Sequence, residues 1–198
     1  MDEPRAIIPA LNFAPELLLA AQGSRAAIFD VDGVLTDGRL YIGEQGESFK
    51  AFCTLDGHGL KLLAQAGIEP IIITGRDSAA VRRRVADLGI GHAIYGVHDK
   101  LAAAERLRAE IGLQWSDLAV IGDDWPDLPL LLRAGFSAAP PGAHVEVRAV
   151  ARHVTAAAAG YGAAREFCDL LLVAGGRYAG LLQGHLGTLD DGLAAVGA

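Results

Sequence analysis

A short apolar segment that runs directly into a carboxylate-rich turn constrains this chain more than any other feature. Residues 26–29 form the kind of apolar run that a parallel strand covered on both sides requires. Asp30 and Asp32 follow this run, and Gly33 permits a sharp turn after them. Side chains two residues apart on an extended chain share a face, so we expect both carboxylates in one small volume. An aspartate pair before a glycine can also simply build a turn, and this alternative stays open at this point.

Further apolar segments alternate with helical patterns along the chain. Residues 70–73, 92–95 and 118–121 are predicted strands, and each is followed by a polar turn and a predicted helix. This alternation predicts an α/β fold, namely a Rossmann-like doubly wound parallel sheet with right-handed crossovers. Residues 39–52 contain two short strand patterns around a glycine-bounded turn, which indicates a β-hairpin inserted after the first strand. Shorter strands are predicted at 136–139 and 151–154, and helices at 15–21, 57–66, 78–88, 101–111, up to about 134, and 163–173.

The length and the charge of the chain exclude several classes of protein. We expect one domain over residues 1–198, with a C-terminal tail at about 177–198. The formal net charge of -7 argues against nucleic acid or an anionic membrane surface as a partner. Apolar runs stay far shorter than a membrane span, and the first residues lack the basic region of a secretion signal. We therefore expect a cytoplasmic protein.

Residues 30–38 have the sequence Asp-Val-Asp-Gly-Val-Leu-Thr-Asp-Gly. This segment resembles the first motif of the haloacid dehalogenase superfamily, in the form found in its 3-deoxy-D-manno-octulosonate 8-phosphate phosphatase family. The other motifs of the superfamily find matches in the same order, and the resemblance extends over residues 25–174. The matching segments are Thr74-Gly75-Arg76, then Lys100, and then Gly122-Asp123-Asp124 with Asp127.

The resemblance implies a covalent phosphatase mechanism. Asp30 would be the nucleophile that attacks phosphorus, and Asp32 would be the general acid and base. Lys100 would neutralise Asp30 and the phosphate, unless it is simply a solvated lysine. The Thr74 hydroxyl and the Gly75 amide would hold the phosphate oxygens.

The resemblance also implies a Mg²⁺ cofactor, because carboxylate and carbonyl oxygens suit this ion. Its protein ligands would be the Asp30 and Asp123 carboxylates and the backbone carbonyl of Asp32. Asp124 and Asp127 would support these ligands without binding the ion, although such aspartates can also merely cap a helix.

The family resemblance further implies a substrate, 3-deoxy-D-manno-octulosonate 8-phosphate, whose free sugar enters lipopolysaccharide synthesis. Arg76 would bind the carboxylate of this acidic sugar, or else form a structural ion pair with Asp77 or a similar carboxylate. Tyr95 and Trp125 depart from the family pattern and bear on the pocket, so the substrate stays open. An N-acylneuraminate 9-phosphate or another sugar phosphate is the alternative, and an inactive oligomeric homologue is the alternative outside enzymes.

The spacing between the motifs leaves no room for a large cap domain. Residues 37–74 contain only the predicted hairpin and one helix, and residues 76–100 contain only a helix and a strand. The resemblance implies that the hairpin assembles a homotetramer in which a neighbouring subunit helps to close the site.

Overall fold

The computed structural model describes the backbone of residues 7–195 and the side chains of residues 7–186. The strands are β1 (Ala26–Phe29), β2 (Tyr41–Gly43), β3 (Gly46–Phe49), β4 (Glu69–Ile73), β5 (His92–Ile94), β6 (Leu118–Ile121), β7 (Phe136–Ala139) and β8 (His153–Val154). The α-helices are α1 (Pro15–Ala21), α2 (Thr54–Gln65), α3 (Ala79–Leu88), α4 (Lys100–Glu110), α5 (Leu128–Leu131), α6 (Val145–Val150), α7 (Ala163–Ala174) and α8 (Tyr178–Ala195).

One six-stranded sheet in the order β5-β4-β1-β6-β7-β8 organises the fold, and all of its strands run parallel. Strand β1 lies near the middle, with Phe29 opposite Ile72 of β4 and Ile121 of β6. The chain builds the sheet outward from β1 to β5 and then returns to β6 on the other side. This reversal leaves a crevice at the carboxyl ends of the central strands, where ligands bind in open α/β sheets. The predicted doubly wound α/β fold is confirmed.

Successive residues of β1 point into two separate apolar cores. Ala27 and Phe29 pack with helices α1, α2, α3 and α7, whereas Ala26 and Ile28 pack with α4, α5 and α6. Phe29 meets the ring of Phe167 in α7 edge to face, with 5.5 Å between the ring centres. Burial of each such large side chain contributes about 1.5–3 kcal/mol. The strand that leads to Asp30 is therefore held rigidly from both sides.

The predicted β-hairpin is present, and no large cap domain interrupts the described residues. Strands β2 and β3 pair antiparallel in a sheet of their own, and only this hairpin and α2 separate β1 from β4. Helix α2 begins at Thr54, three residues before the predicted start at Gly57. Gly57 and Gly59 allow other helices to pack closely against α2. A Cβ added at Gly57 would lie 2.1 Å from Arg84 Nη2, and one added at Gly59 would lie 3.1 Å from Cys168 Cβ.

The region after β7 differs from its prediction. Helix α6 covers Val145–Val150, where no element was predicted, and β8 is shorter than the predicted strand at 151–154. The sequence Val-Glu-Val-Arg-Ala-Val alternates apolar residues with a period close to two, a pattern typical of a strand. Helix α5 ends at Leu131 rather than near residue 134.

The tail predicted at 177–198 is helical over Tyr178–Ala195. Tyr178 and Leu181 pack against the core on the α7 side of the sheet. The ends of the predicted domain, residues 1–6 and 196–198, lie outside the described residues. None of the helices within residues 7–195 combines the length and the apolar character that crossing a bilayer requires.

Candidate active site

An open cleft of about 420 Å³ lies at the carboxyl ends of the central strands. It contains every residue that the sequence predicted for the site, and the roles of these residues remain predictions. The lining consists of Asp30, Asp32, Gly38, Thr74, Gly75, Arg76, Val97, His98, Lys100, Asp123, Asp124, Pro126 and Asp127.

The end of β1 places Asp30 at the floor of this cleft. The Asp30 N–H donates to the carbonyl of Ile121 at 3.2 Å, which continues the pairing of β1 with β6. The side chain is buried, and the chain then turns away at Gly33. Gly33 has a φ of +94°, and a Cβ at this position would lie only 2.0 Å from Asp123 Oδ2. A glycine is therefore required for the carboxylates after β1 and β6 to approach each other.

Lys100, at the first turn of α4, bridges two buried carboxylates. Its Nζ lies 2.7 Å from Asp30 Oδ1 and 2.6 Å from Asp127 Oδ1, and its side chain is only 5% exposed. Burial lowers the pKa of Lys100, but Asp30 and Asp127 outweigh it and raise the pKa above its usual value. Lys100 is therefore a permanent cation inside the cleft, and the alternative of a solvated lysine is wrong.

Three carboxylates, those of Asp30, Asp123 and Asp127, offer oxygens that lie within 4.8 Å of one another. Asp127 is already engaged, since its Oδ1 binds Lys100 and its Oδ2 accepts the Asp123 N–H at 3.1 Å. Its Oδ2 also accepts the N–H of the exposed Asp124 at 3.4 Å. These contacts favour Asp127 as a support for the turn, and they leave Asp30 and Asp123 as the freer ligands.

The electrostatics of this cluster fit a divalent cation. Burial, followed by the charge of Asp127, raises the pKa of Asp30 to about 6. Burial, followed by the charges of Asp30 and Asp127, raises the pKa of Asp123 to about 8. If all three carboxylates were ionised, they would carry a formal excess of two negative charges over Lys100, the ammonium that contacts them among the described residues. The raised pKa values show how unfavourable that excess is without a further cation. A hard divalent ion with oxygen ligands would neutralise this excess.

Residues after β4 line the opposite side of the cleft. Thr74 is buried directly after the strand, and the exposed Gly75 and Arg76 follow it. Arg76 Nε lies 3.8 Å from Asp32 Oδ2, so the guanidinium stays at the mouth of the cleft. Asp77 is not the partner of Arg76, because it accepts two hydrogen bonds from Arg82 instead, at 2.7 and 2.8 Å. The alternative of a structural ion pair with a similar carboxylate stays open, since Arg76 lies 3.5 Å from Glu47.

The hairpin supplies two charged residues that the sequence reasoning missed. Lys50, just after β3, forms a salt bridge with Asp32 and another with Glu47 of β3, the latter at 3.1 Å. Glu47 also lies 3.5 Å from Arg76 and accepts a hydrogen bond from the Ser78 hydroxyl. One signal was available, since Lys50 is a charged residue between Phe49 and the apolar pair Ala51-Phe52.

The two departures from the family pattern lie outside the cleft lining. Tyr95 stacks beneath the guanidinium of Arg82, with 4.2 Å between the Arg82 Cζ and the ring centre. Trp125 is 61% exposed, and its Nε1–H donates to His144 Nδ1 at 3.0 Å. Within the described residues, neither side chain shapes the cleft of a single chain.

A smaller cavity of about 140 Å³ lies between α2, α7 and α8. Its lining is mainly apolar, with His58, His185 and Arg165 as the polar side chains, and it contains no carboxylate. Of these two cavities, the cleft at the sheet edge is the one lined by carboxylates.

Comparison with known proteins relates the chain to a phosphatase family. The sequence pattern of haloacid dehalogenase-like hydrolases matches residues 94–167. The 3-deoxy-D-manno-octulosonate 8-phosphate phosphatase of Salmonella typhimurium is 42% identical over 164 residues, which are 83% of this chain and 87% of that protein.

Solved structures show the same relationship. A probable phosphatase of the YrbI family from Pseudomonas syringae has a TM-score of 0.85 at 44% identity, over 87% of this chain and 98% of that chain. The 3-deoxy-D-manno-octulosonate 8-phosphate phosphatase of Moraxella catarrhalis, in complex with magnesium ion, phosphate ion and KDO, has a TM-score of 0.83 at 40% identity, over 86% of this chain and 98% of that chain. The chain therefore belongs to the 3-deoxy-D-manno-octulosonate 8-phosphate phosphatase family of haloacid dehalogenase-like hydrolases.

Proposed function

We propose that this protein is a Mg²⁺-dependent phosphatase that hydrolyses 3-deoxy-D-manno-octulosonate 8-phosphate to the free sugar acid and phosphate. The observation that carries the proposal is the buried carboxylate of Asp30, which faces the cleft beside Lys100 and two further carboxylates. The names of the relatives from Salmonella typhimurium and Moraxella catarrhalis support the choice of substrate. The proposal includes an aspartyl-phosphate intermediate and a role in making lipopolysaccharide precursors.

In the first half of the reaction, a carboxylate oxygen of Asp30 attacks phosphorus, and the bond from phosphorus to the sugar oxygen breaks. Asp32 gives its proton to that leaving oxygen. The Thr74 hydroxyl and the Gly75 N–H hold the non-bridging phosphate oxygens. Lys100 offsets the repulsion between the phosphate and Asp30, which at about 4 Å costs roughly 8 kcal/mol at an effective dielectric constant of 20.

In the second half, Asp32 removes a proton from water, and the water oxygen attacks the phosphoryl group on Asp30. The bond between phosphorus and the Asp30 oxygen breaks, so phosphate leaves and the carboxylate is restored. Lys100 stays charged throughout, because Asp30 and Asp127 hold its pKa above the usual value against the effect of burial. Asp30 and Asp32 thus act in both steps.

Mg²⁺ would be held by the Asp30 and Asp123 carboxylates and by the backbone carbonyl of Asp32, with Asp124 and Asp127 as supports. Its chemistry would be to neutralise charge on the phosphate and to polarise the phosphorus centre. The raised pKa values of Asp30 and Asp123 support a divalent ion at this place, because such an ion would let these crowded carboxylates ionise together.

Phosphate release from a panel of phosphomonoesters tests the proposal. We expect the octulosonate 8-phosphate to be hydrolysed in preference to an N-acylneuraminate 9-phosphate and to p-nitrophenyl phosphate, and chelation with EDTA should abolish turnover. Rapid acid quench followed by intact-protein mass spectrometry should find one added phosphoryl group, absent from Asp30→Asn. Preference for the nine-carbon substrate would make an N-acylneuraminate 9-phosphate the assigned substrate. If no compound in the panel released phosphate in a Mg²⁺-dependent way, the protein would be better described as an inactive oligomeric homologue.

We also propose that residues 1–198 act as one catalytic domain in a cytoplasmic homotetramer assembled through the hairpin. The hairpin carries exposed apolar side chains: Leu40 is 43% exposed, Ile42 63% and Phe49 55%. Pairing with other subunits would cover them and would protect the free strand edges. It would also exclude water from an otherwise uncapped cleft.

Charge at the hairpin tests this assembly. Leu40→Asp should dissociate the oligomer in light scattering, and it should reduce turnover of the sugar phosphate more than turnover of p-nitrophenyl phosphate. Leu132→Asp, at an apolar residue away from the hairpin that is even more exposed than Leu40, is the control. A dissociated chain that hydrolyses the sugar phosphate at the parental rate would show that each subunit builds a complete site. Cell fractionation tests the cytoplasmic location.

A further inference from the structure

The hairpin contributes a buried lysine to the catalytic cleft of its own chain. The Lys50 side chain is 1% exposed, and its Nζ forms a salt bridge with Asp32 Oδ1. Glu47, on the preceding strand, holds the same ammonium at 3.1 Å through Oε2. Removing an ammonium from water is costly, and a buried ion pair gives little net stability in return. A role in the chemistry explains Lys50 better than a role in stability does.

A second set of contacts fixes the position of Glu47. Its Oε1 accepts a hydrogen bond from the Ser78 hydroxyl, at the N-terminal end of α3. Its Oε2 lies 3.5 Å from the guanidinium of Arg76. Glu47 therefore ties the hairpin to the loop after β4 and orients Lys50 toward Asp32. Two cations balance two carboxylates here, in contrast to the uncompensated cluster around Asp30.

The two oxygens of Asp32 have different surroundings. Oδ1 is fixed by Lys50, whereas Oδ2 accepts no hydrogen bond from any described residue. Arg76 Nε, at 3.8 Å from Oδ2, lies beyond hydrogen-bonding distance, and the Arg76 side chain is half exposed at the mouth of the cleft. Oδ2 is buried and unpaired in a residue that lines the cleft, which leaves it as the Asp32 oxygen without a fixed partner.

We propose that Lys50 is a positioning residue for the proposed reaction: held by Glu47, it anchors Asp32 Oδ1 so that Oδ2 faces the leaving oxygen. This inference rests on the proposed function. Asp32 passes the proton from Oδ2 to the leaving sugar oxygen as the bond between phosphorus and oxygen breaks. The resulting carboxylate is stabilised by Lys50, which keeps its own protons, and Oδ2 then takes a proton from the attacking water. The hairpin thus contributes a residue to the proposed active site of its own subunit.

Steady-state kinetics of Lys50→Met, with Lys61→Met as the matched control, test the proposal. Methionine keeps most of the apolar stem, and Lys61 is an exposed lysine on α2. We expect kcat for the sugar phosphate to fall about 100-fold in Lys50→Met, the range for loss of general acid–base catalysis. KM should change less than about threefold, since phosphate binding relies on other groups, and Lys61→Met should match the parent.

The leaving group provides the readout that separates positioning from general damage. p-Nitrophenolate departs without help from an acid, so Lys50→Met should still phosphorylate Asp30 with p-nitrophenyl phosphate and then stall. Stopped-flow absorbance should show a burst of one p-nitrophenol per site, followed by slow turnover. Glu47→Gln keeps its shape and should show the same pattern with a loss of about tenfold, and it serves if Lys50→Met fails to fold.

Parental kcat in folded Lys50→Met or Glu47→Gln would overturn the inference, and so would an equal loss on both substrates without a burst. Failure of the proposed function would look different, because the unsubstituted protein itself would then release no phosphate from the sugar phosphate.

Discussion

Two groups of buried carboxylates in this molecule differ in how their charge is compensated. At the sheet edge, Asp30 and Asp123 crowd together, and their pKa values are raised by burial and by neighbouring negative charges. At the junction of α2 and α7, burial also raises the pKa of Asp56. There, however, the Asp56 carboxylate accepts backbone N–H groups of Arg165 at 2.8 Å and Gly162 at 3.4 Å, at the start of α7.

The difference lies in what compensates the buried charge. Donors from the first turn of α7 satisfy Asp56, and the helix dipole favours a negative charge at that place. Nearby, Asp169 is paired with Arg165 at 2.8 Å. Among the described residues, the sheet-edge cluster has only the Lys100 ammonium for three carboxylates, so its charge stays partly uncompensated. The buried charge is thus compensated by N–H donors at Asp56 and crowded by like charges at the sheet edge, and we expect only the crowded group to take part in chemistry.

Asp30→Asn should break the sheet-edge cluster as a catalyst and leave the fold intact. We expect phosphate release to fall by more than about 10³-fold, because the nucleophile is lost. The free energy of unfolding in EDTA should stay the same or rise, since one of the crowded negative charges disappears. Turnover and urea unfolding measure the two effects, and near-normal activity in folded protein would contradict the nucleophile assignment.

Lys100→Ala should have the next largest effect. We expect a loss of about 10²- to 10³-fold in kcat, comparable to removal of one group that stabilises transition-state charge. Arg83→Ala, which breaks only an exposed pair with Asp87, should retain parental activity. Circular dichroism is the check that both variants are folded. Equal losses of activity in the two would mean that the cleft assignment is wrong.

Asp123→Asn should change how stability depends on pH in the metal-free protein. The folded-state pKa values of Asp30 and Asp123, about 6 and about 8, lie above their usual value, so the folded state binds more protons than the unfolded state between about pH 4 and pH 8. The stability that these two carboxyl groups contribute by binding protons in the folded state is thus complete below about pH 4. It is lost as the pH rises through 6 and 8.

At pH 8 in EDTA, we expect Asp123→Asn to be more stable than the parent by an amount on the order of 3 kcal/mol, and at pH 4 the two should agree. Adding Mg²⁺ should stabilise the parent at pH 8 more than the variant, because the ion binds the folded carboxylates. Urea unfolding across this pH range decides the matter, and parallel pH curves for the two proteins would refute the crowding of charge.

Asp56→Ala should affect stability alone. Loss of the acceptor for the Arg165 and Gly162 N–H groups should lower the free energy of unfolding by about 1–2 kcal/mol. The control Asp87→Ala, at an exposed carboxylate, should change it by less than about 0.5 kcal/mol. Turnover per folded molecule should stay parental in both variants, and a catalytic defect in Asp56→Ala would remove the distinction between the two groups.

Most of the fold and most residues of the cleft could be predicted from the amino-acid sequence alone. The bounds of α1, β6 and β7 match their predictions, because apolar runs and the residues that end them are local signals. The motif order after β1 and β4 indicated Asp30, Thr74 and Arg76 before any geometry was known. Parallel strands bring such residues to one edge of the sheet. Lys100 could therefore be predicted to lie beside Asp30, although 70 residues separate them in the sequence.

Which charges compensate one another became apparent only when the segments were seen packed together. Lys50 meets Asp32 across 18 residues and Glu47 meets Ser78 across 31, and no local pattern encodes either contact. Secondary structure follows from the period of a single segment, whereas the compensation of a buried charge depends on side chains that separate segments bring together.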